Sequence, residues 1–275
     1  MANQETKVVI AASAFNVSIH ITMCDNFRKL FKPEEMTMRS LTSDIELQKE
    51  RLMQALIQTK CTALIAMSIR PDADTIAAYT AANVPIILTD EEAAGVSTIA
   101  ADNVVGGRMA GDYLIKKGRK KIAIITGRTE VKGGLNAEQR LKGFQQALSA
   151  GKLLIPQGCM IEVPDYSRED GVEVMPKLLA AGVDAIFCAA GDNCVQGLLA
   201  VARDRAVRIP EDIAIVGFDD LLIAQISTPP LTTIRQPLKE MAEAAYKMVV
   251  SQRDETLRRP QKIMFKPELV VRKSA

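Results

Sequence analysis

Two rhythms of apolar and polar residues alternate along this chain. Short runs with few polar residues and many β-branched side chains recur at Lys7–Ala12, Thr37–Leu41, Ala63–Met67, Pro85–Leu88, Lys121–Thr126, Met160–Val163, Ala185–Cys188 and Ile213–Phe218. Runs of that length without strict alternation predict strands covered on both faces. Between them the apolar positions fall three to four apart, which predicts helices over 16–31, Ser43–Thr59, Asp72–Ala82, Val104–Lys117, Ala137–Ala150, Arg168–Ala181, Asn193–Arg205 and Pro237–Gln252. Gly118, Gly151 and Gly182 each follow a helix and are read as left-handed C-caps. Strand-then-helix alternation from end to end predicts parallel sheets with right-handed crossovers.

One sheet of that many strands would be very wide, and the rhythm breaks once. The stretch "TIAADNVVGGRMAGDYLIKKGRKKIAIITG" reads as a connector into a second series of strand–helix units that starts at Lys121. The expected fold is therefore α/β, with two doubly wound parallel-sheet lobes joined by multiple crossover strands. The chain is expected to cross back near Ile234–Gln236, and Lys262–Val271 alternates like one late strand. The lobes are expected to comprise residues 1–103 plus 235–265 and residues 104–234 plus 266–275.

In such sheets ligands bind outside the carboxyl ends of the strands, so the residues there are the candidates. The first strand is followed by Ser13, Phe15 and Asn16, the fourth by Thr89 and Asp90, and the connector holds Asp102 and Asn103. The second series adds Tyr166, Arg140 in the helix after Lys121–Thr126, Asp192 and Asn193 after the seventh strand, and Asp219 after the eighth. Acids, amides and one arginine around a cleft suit a neutral polyol. A carboxylate accepts from two hydroxyls, Arg donates a planar fork, and an aromatic covers an apolar face. Each of these residues taken singly reads equally well as a helix cap or a loop brace.

Composition narrows the class. The chain has 275 residues, 48% of them hydrophobic and 25% charged, as in an ordinary globular protein. Its formal charge of +2 gives no pull toward nucleic acid or an anionic membrane. No apolar run approaches the ~20 residues of a membrane span, and "MANQETKVVIAASAF" lacks the marks of a secretory signal. Five scattered cysteines without a C-x-x-C fit reduced, buried thiols, and a cytoplasmic location is expected. The basic run at Arg119–Lys121 is read as a solvated turn.

Catalysis has little to stand on. There is no G-x-G-x-x-G after the first strand, no phosphate-binding G-x-x-x-x-G-K-[ST] and no G-x-S-x-G elbow. The single histidine, His20, is read as a surface or cleft-lining group, and no metal site and no cofactor are expected. A sugar-cleaving enzyme working through Asp192 and Asp219 is the weakest reading.

The segment "IPEDIAIVGFDDLLIAQISTPPLTTIRQPLKEMAEAA" resembles the core signature of the LacI/GalR family of effector-responsive transcriptional repressors, and "NAEQRLKGFQQAL" and the closing "PELVVRKS" fit as well. The resemblance spans nearly the whole chain and implies a periplasmic binding protein-like type I fold. It implies a small-molecule effector of sugar type, no enzymatic activity, and a homodimer formed through helices that include Ser43–Thr59 and Pro237–Gln252. Arg140 and Asp219 match effector-gripping positions, Asp102 and Asp192 match cleft positions less closely, and Asp220 is expected to brace the local turn. Two departures alter the cleft: Gly191-Asp192 stands where the family usually has Asn-Asp, and "AASAFNVSIH" lacks the common Ser-Asn-Pro-Phe. Operator DNA would be reached only through a helix-turn-helix headpiece that this chain is expected to lack, as an excised core or a headless sensor. The alternative from another class is a solute-binding protein of a sugar transporter.

Overall fold

Strands buried on both faces have no use for alternation, and the unbroken apolar runs become the inner strands of two sheets. The computed structural model describes residues 7–13, 18–41, 44–129, 134–252 and 259–275. The chain divides into two units, 1–101 with 237–265 and 102–236 with 266–275, and passes between them three times.

The first unit holds β1 (Val8–Ala12), α1 (Ser18–Phe27), β2 (Met36–Ser40), α2 (Ile45–Gln58), β3 (Ala63–Met67), α3 (Ala73–Ala81), β4 (Ile86–Thr89) and β5 (Ser97–Ala101). The second holds α4 (Asn103–Lys116), β6 (Ile122–Thr126), α5 (Leu135–Ala150), β7 (Met160–Glu162), α6 (Arg168–Ala180), β8 (Ala185–Cys188), α7 (Asp192–Asp204), β9 (Ala214–Asp219), α8 (Leu222–Ile226) and β10 (Thr232–Arg235). Then α9 (Leu238–Ser251) and β11 (Lys262–Phe265) complete the first unit, and β12 (Glu268–Val270) completes the second. The strand orders are β11-β5-β4-β3-β1-β2 and β12-β10-β9-β8-β6-β7. In each sheet the order reverses once, between β1 and β3 and between β6 and β8, and such switch points are where ligands seat in this architecture.

Alternate residues of the second sheet feed two separate cores. Ala123, Ile125, Ile186, Cys188 and Ile215 pack with Val174, Leu178 and Leu198 of α6 and α7. Their neighbours Ile122, Ile124, Phe187, Val216 and Phe218 pack with Leu114 and Phe144 of α4 and α5. In the first unit Val9, Ala11, Leu64 and Leu88 meet Leu52 and Tyr79, and the Tyr79 hydroxyl donates to the Leu52 carbonyl at 2.8 Å. Each fully buried large side chain contributes about 1.5–3 kcal/mol.

The helix pair α4 and α5 packs backbone to backbone. A Cβ on Gly107 would run into the Arg140 carbonyl, and one on Gly143 would run into the Val104 carbonyl. That close approach holds Arg140, on the same turn of α5 as Gly143, toward the end of the sheet.

Several expectations are corrected. The supposed connector contains β5, whose polar Ser97 and Thr98 are buried. The Ser97 hydroxyl accepts from Gln252 Nε2 at 2.9 Å, so a polar strand is tolerated there. The single late strand is two: β11 pairs parallel with β5, whereas β12 pairs antiparallel with β10. Pro267 stands between them, and its missing N–H ends a ladder. The return crossing is preceded by a full strand, β10, of the second sheet. Gly118 (φ 80°) and Gly182 (φ 66°) take the left-handed cap conformation, but Gly151 does not; Lys152 (φ 56°) takes it. Gly151 serves closeness instead, since a Cβ there would come within 2.9 Å of Ile115 Cδ1. Arg119 is no solvated turn residue: Nη2 donates to the Pro210 carbonyl at 2.6 Å and Nη1 to that of Asp184 at 3.2 Å. All five cysteines are buried and unpaired.

The α4–α5 contact yields a first prediction. Gly143→Ala forces two helices apart in a filled core, and overpacking of this kind costs about 3 kcal/mol. Urea unfolding of the second unit should show its stability lowered by that amount, while Lys142→Ala, on the neighbouring exposed position, should leave it unchanged.

Candidate functional site

The carboxyl edge of the second sheet brings Arg140, Asp219, Asp192 and Asn103 together, and geometry gives them different tasks. Arg140 is buried, with its guanidinium 3.7 Å from the centre of the Phe218 ring. Its Nε donates to Asn103 Oδ1 at 2.8 Å and its Nη1 to the Ala189 carbonyl at 2.8 Å. Nη2 stands 3.8 Å from Asp219 Oδ1, near enough for attraction and too far for a direct hydrogen bond. A fork held on two edges and stacked on a ring has one orientation, and its third edge is turned toward Asp219.

Asp219 ends β9 with φ 104°, and Asp220 follows with φ 56°. Two successive left-handed residues that are not glycine are strained, at about 1–3 kcal/mol each. Strong partners hold them. Gln236 Nε2 donates to Asp219 Oδ1 at 2.7 Å, and the Gln236 Oε1 is buried without a hydrogen-bond partner among the described residues. Asp220 is ion-paired with Arg235 Nε at 2.7 Å and Arg272 Nη2 at 2.6 Å, and its side chain is only 3% exposed. Burial pushes the Asp219 carboxyl up from its ordinary pKa, against the Arg140 charge and the Gln236 hydrogen bond.

Gly191 and Asp192 open α7. Gly191 has φ 103°, and a Cβ there would lie 2.8 Å from Asp219 Oδ2, so the glycine leaves room for the carboxylate to lie over the backbone. Asp192 is turned into the unit. Its Oδ2 accepts from the Leu221 N–H at 2.9 Å and its Oδ1 from the Thr233 hydroxyl at 2.7 Å. Its pKa is raised well above the usual carboxylate range, first by burial and then by the Asp219 charge. Asp102 is the N-cap of α4, accepting from Val105 N at 2.9 Å. Tyr166 has φ 58° and lies over Gly127 at the exit of β6, where any Cβ would strike its hydroxyl and ring.

At the edge of the first sheet Ser13 follows β1, half-buried, while Phe15 and Asn16 lie outside the described residues. Asp90 follows β4 with φ 60°, buried, and its N–H donates to the Ile99 carbonyl at 3.1 Å. Two features at this edge escaped sequence reasoning. Glu91 is wholly buried and ion-paired with Arg70 Nε at 3.2 Å, although only the acidic run Asp90–Glu92 hints at it. His20, expected at a surface or cleft, is buried with Nε2 3.4 Å from the Ser68 hydroxyl. Gln236 and Thr233 were missed in the second unit, since nothing in "LTTIRQP" marks which polar side chains turn toward the two acids. Among the described residues no three His, Cys, Asp or Glu side chains gather as metal ligands.

Asp219 and the Arg140 fork thus form a buried, charge-balanced donor–acceptor pair with a gap between them. Such a pair can receive hydroxyl groups, each able to donate to the carboxylate and accept from the guanidinium.

Known proteins share this fold. Residues 112–275 match the model of the periplasmic binding protein-like domain. The chain is 32% identical over 197 residues to the HTH-type transcriptional repressor PurR of Escherichia coli O1:K1 / APEC, a match covering 70% of this chain and 56% of that repressor. The chain thus spans little more than half the length of such relatives. Among solved structures, a LacI family transcriptional regulator from Enterococcus faecium with bound ribose superposes with a TM-score of 0.84 at 21% identity, covering 98% of both chains. The transcriptional regulator CelR–cellobiose complex gives 0.82 at 25% identity, covering 100% of this chain and 86% of that one.

The ion pairs of Asp220 yield a second prediction. Asp220→Ala leaves Arg272 without its carboxylate and releases the strained turn, and loss of one partner of a buried pair costs about 3 kcal/mol or more. Thermal unfolding should show the loss, whereas Glu268→Ala, which removes only an exposed partner of Arg235 at 3.6 Å, should change stability by less than about 1 kcal/mol.

Proposed function

We propose that this chain, which belongs to the periplasmic binding protein-like domain family, is the effector-binding core of a LacI-type transcriptional regulator, and that its effector is an uncharged sugar. The observation that carries this reading is the 3.8 Å gap between Arg140 Nη2 and Asp219 Oδ1 inside a buried, charge-balanced pair. A direct salt bridge would engage the facing donor and acceptor with each other. A pair held apart, each member fixed by other bonds, can take a hydroxyl on each side.

The stacked Phe218 fixes the fork before the ligand arrives, so little freedom is lost on binding. Gly191 lets Asp219 Oδ2 face along the sheet edge without obstruction. Tyr166, over Gly127 at the neighbouring strand exit, supplies an aromatic surface suited to the apolar face of a sugar ring. Ser13 and Asp90, with Phe15 and Asn16, are the contributions proposed from the first unit. Asp102, as a helix cap, keeps Asn103 in register to hold Arg140.

Regulation then follows from linkage. An effector alters DNA affinity only by binding two states of the regulator unequally, and a coupling of about 1–3 kcal/mol is typical. Operator contact through an attached headpiece and pairing into a homodimer belong to the same proposal. The PurR relatives are named as repressors, which favours a regulator over a transporter's solute-binding protein. Sugar cleavage through Asp192 and Asp219 is disfavoured, since both oxygens of Asp192 are bonded internally.

The test is a binding screen with D-ribose, cellobiose and D-xylulose. A sugar at a hundred times its dissociation constant stabilises the protein by about 2.7 kcal/mol, seen as a rise in melting temperature. Asp219→Asn keeps the shape and removes the charge-assisted acceptor, so affinity should fall by about 10-fold to 100-fold. Equal responses from wild type and Asp219→Asn to every stabilising sugar would place the ligand elsewhere.

A further inference from the structure

Asp192 reaches both sides of the segment that carries Asp219. Its Oδ2 accepts from Leu221 N, and its carboxyl lies on Gly217, where any Cβ would strike Oδ1. Gly217 and Leu221 stand two residues before and two residues after Asp219, and the intervening Asp219 and Asp220 have φ of 104° and 56°. Through Thr233 the same carboxyl also ties this segment to β10. One buried group therefore touches three points of the chain around the strained pair.

The charges about Asp192 are uneven. Asp219 at the end of β9 and Asp220 after it act on Asp192, and the Cys188 thiol of β8 stands near it. The cations nearby are engaged elsewhere: Arg140 of α5 faces Asp219, while Arg235 of β10 and Arg272 pair with Asp220. Among the described residues no cation forms an ion pair with Asp192. The start of α7, the Leu221 N–H and the Thr233 hydroxyl as it stands favour an anion, but the side chain is 1% exposed and has a second carboxylate beside it.

We propose that Asp192 is the positioning residue of Asp219 and that it works as an uncharged carboxylic acid, the Thr233 hydroxyl turning from donor to acceptor of its proton while Leu221 N donates to the other oxygen. This rests on the reading of Asp219 as the ligand's acceptor. Loss of the proton sets a second negative charge beside Asp219, for which Arg140 has no spare edge. The segment then relaxes, and ligand affinity falls as pH rises. Burial and the Asp219 charge, which hold the Asp192 pKa well above its usual range, work in the same direction.

The sign for stability follows. A carboxyl whose pKa is raised by folding binds more protons in the folded state. Its favourable contribution is complete below the unfolded value near 3.8 and is lost as pH climbs to the folded value. Asp192→Asn places an amide N–H where the proton stood and cannot ionise. Urea unfolding of wild type and Asp192→Asn should therefore diverge progressively as pH rises above the unfolded carboxyl value. The variant's folding equilibrium constant should gain on the wild type by up to about tenfold per pH unit. A ratio that stays flat, or that moves in favour of the wild type as pH rises, overturns the proposal.

The positioning role is read separately with D-ribose by calorimetry at about pH 6 and pH 8. Wild-type affinity should fall with pH, Asp192→Asn should lose that dependence, and Asp192→Ala should bind at least about tenfold more weakly at both values. If Asp192→Asn is as weak as Asp192→Ala, an anion is required and the proposal fails. If wild type binds no sugar, the functional reading fails, while the unfolding ratio still decides the state of Asp192.

Discussion

A buried ion pair at Asp220 holds the second unit's functional edge in shape. Asp219 and Asp220 both sit in left-handed backbone, which side chains with a Cβ adopt only under constraint. The constraint comes from Arg235 on β10 and from Arg272, which lies beyond β12 and also donates through Nη1 to the Leu231 carbonyl at 2.8 Å. The final residues strengthen it: the buried Ser274 hydroxyl donates to the Ile215 carbonyl at 2.6 Å and accepts from Thr232 N at 2.8 Å. With the turn fixed, Asp219 is delivered to Arg140 at a defined separation.

The neighbouring contacts depend on that delivery. Gly191 has no Cβ because Asp219 Oδ2 occupies the space beside it, and Gly217 has none because Asp192 does. Arg140 is aimed by two devices of different origin, the glycine contact between α4 and α5 and the stacking on Phe218. Donors, acceptors and charges are thus set before any ligand arrives. That arrangement suits a sensor, whose task is to bind one class of molecule and register it, more than an enzyme, whose acids must reach a reacting atom.

The first unit follows the same plan with less on its edge. Its sheet has the same strand order and the same kind of switch point, but its polar groups there are tied locally, as Glu91 with Arg70 and His20 beside Ser68. One plan is built twice, and among the described residues the arginine–aspartate gap lies on the edge of the second sheet.

The sequence by itself determined the alternation of strand and helix, the parallel sheets, and the class of side chain at the strand exits. Hydrophobic periodicity is local and repeats within a window of a few residues. The "GFDD" and R-x-x-G-F motifs marked Asp219 and Arg140 because a short motif carries its own context. Only the tertiary structure decided that Asp192 turns inward, that Gln236 and Thr233 serve the two acids, that Arg119 is a brace, and that 262–271 divides between two sheets. Each of those outcomes depends on a partner far along the chain, as Thr233 is for Asp192 and Pro210 for Arg119. Spacing within one segment cannot reveal which distant group will stand opposite a side chain, or how deeply the two will be buried together.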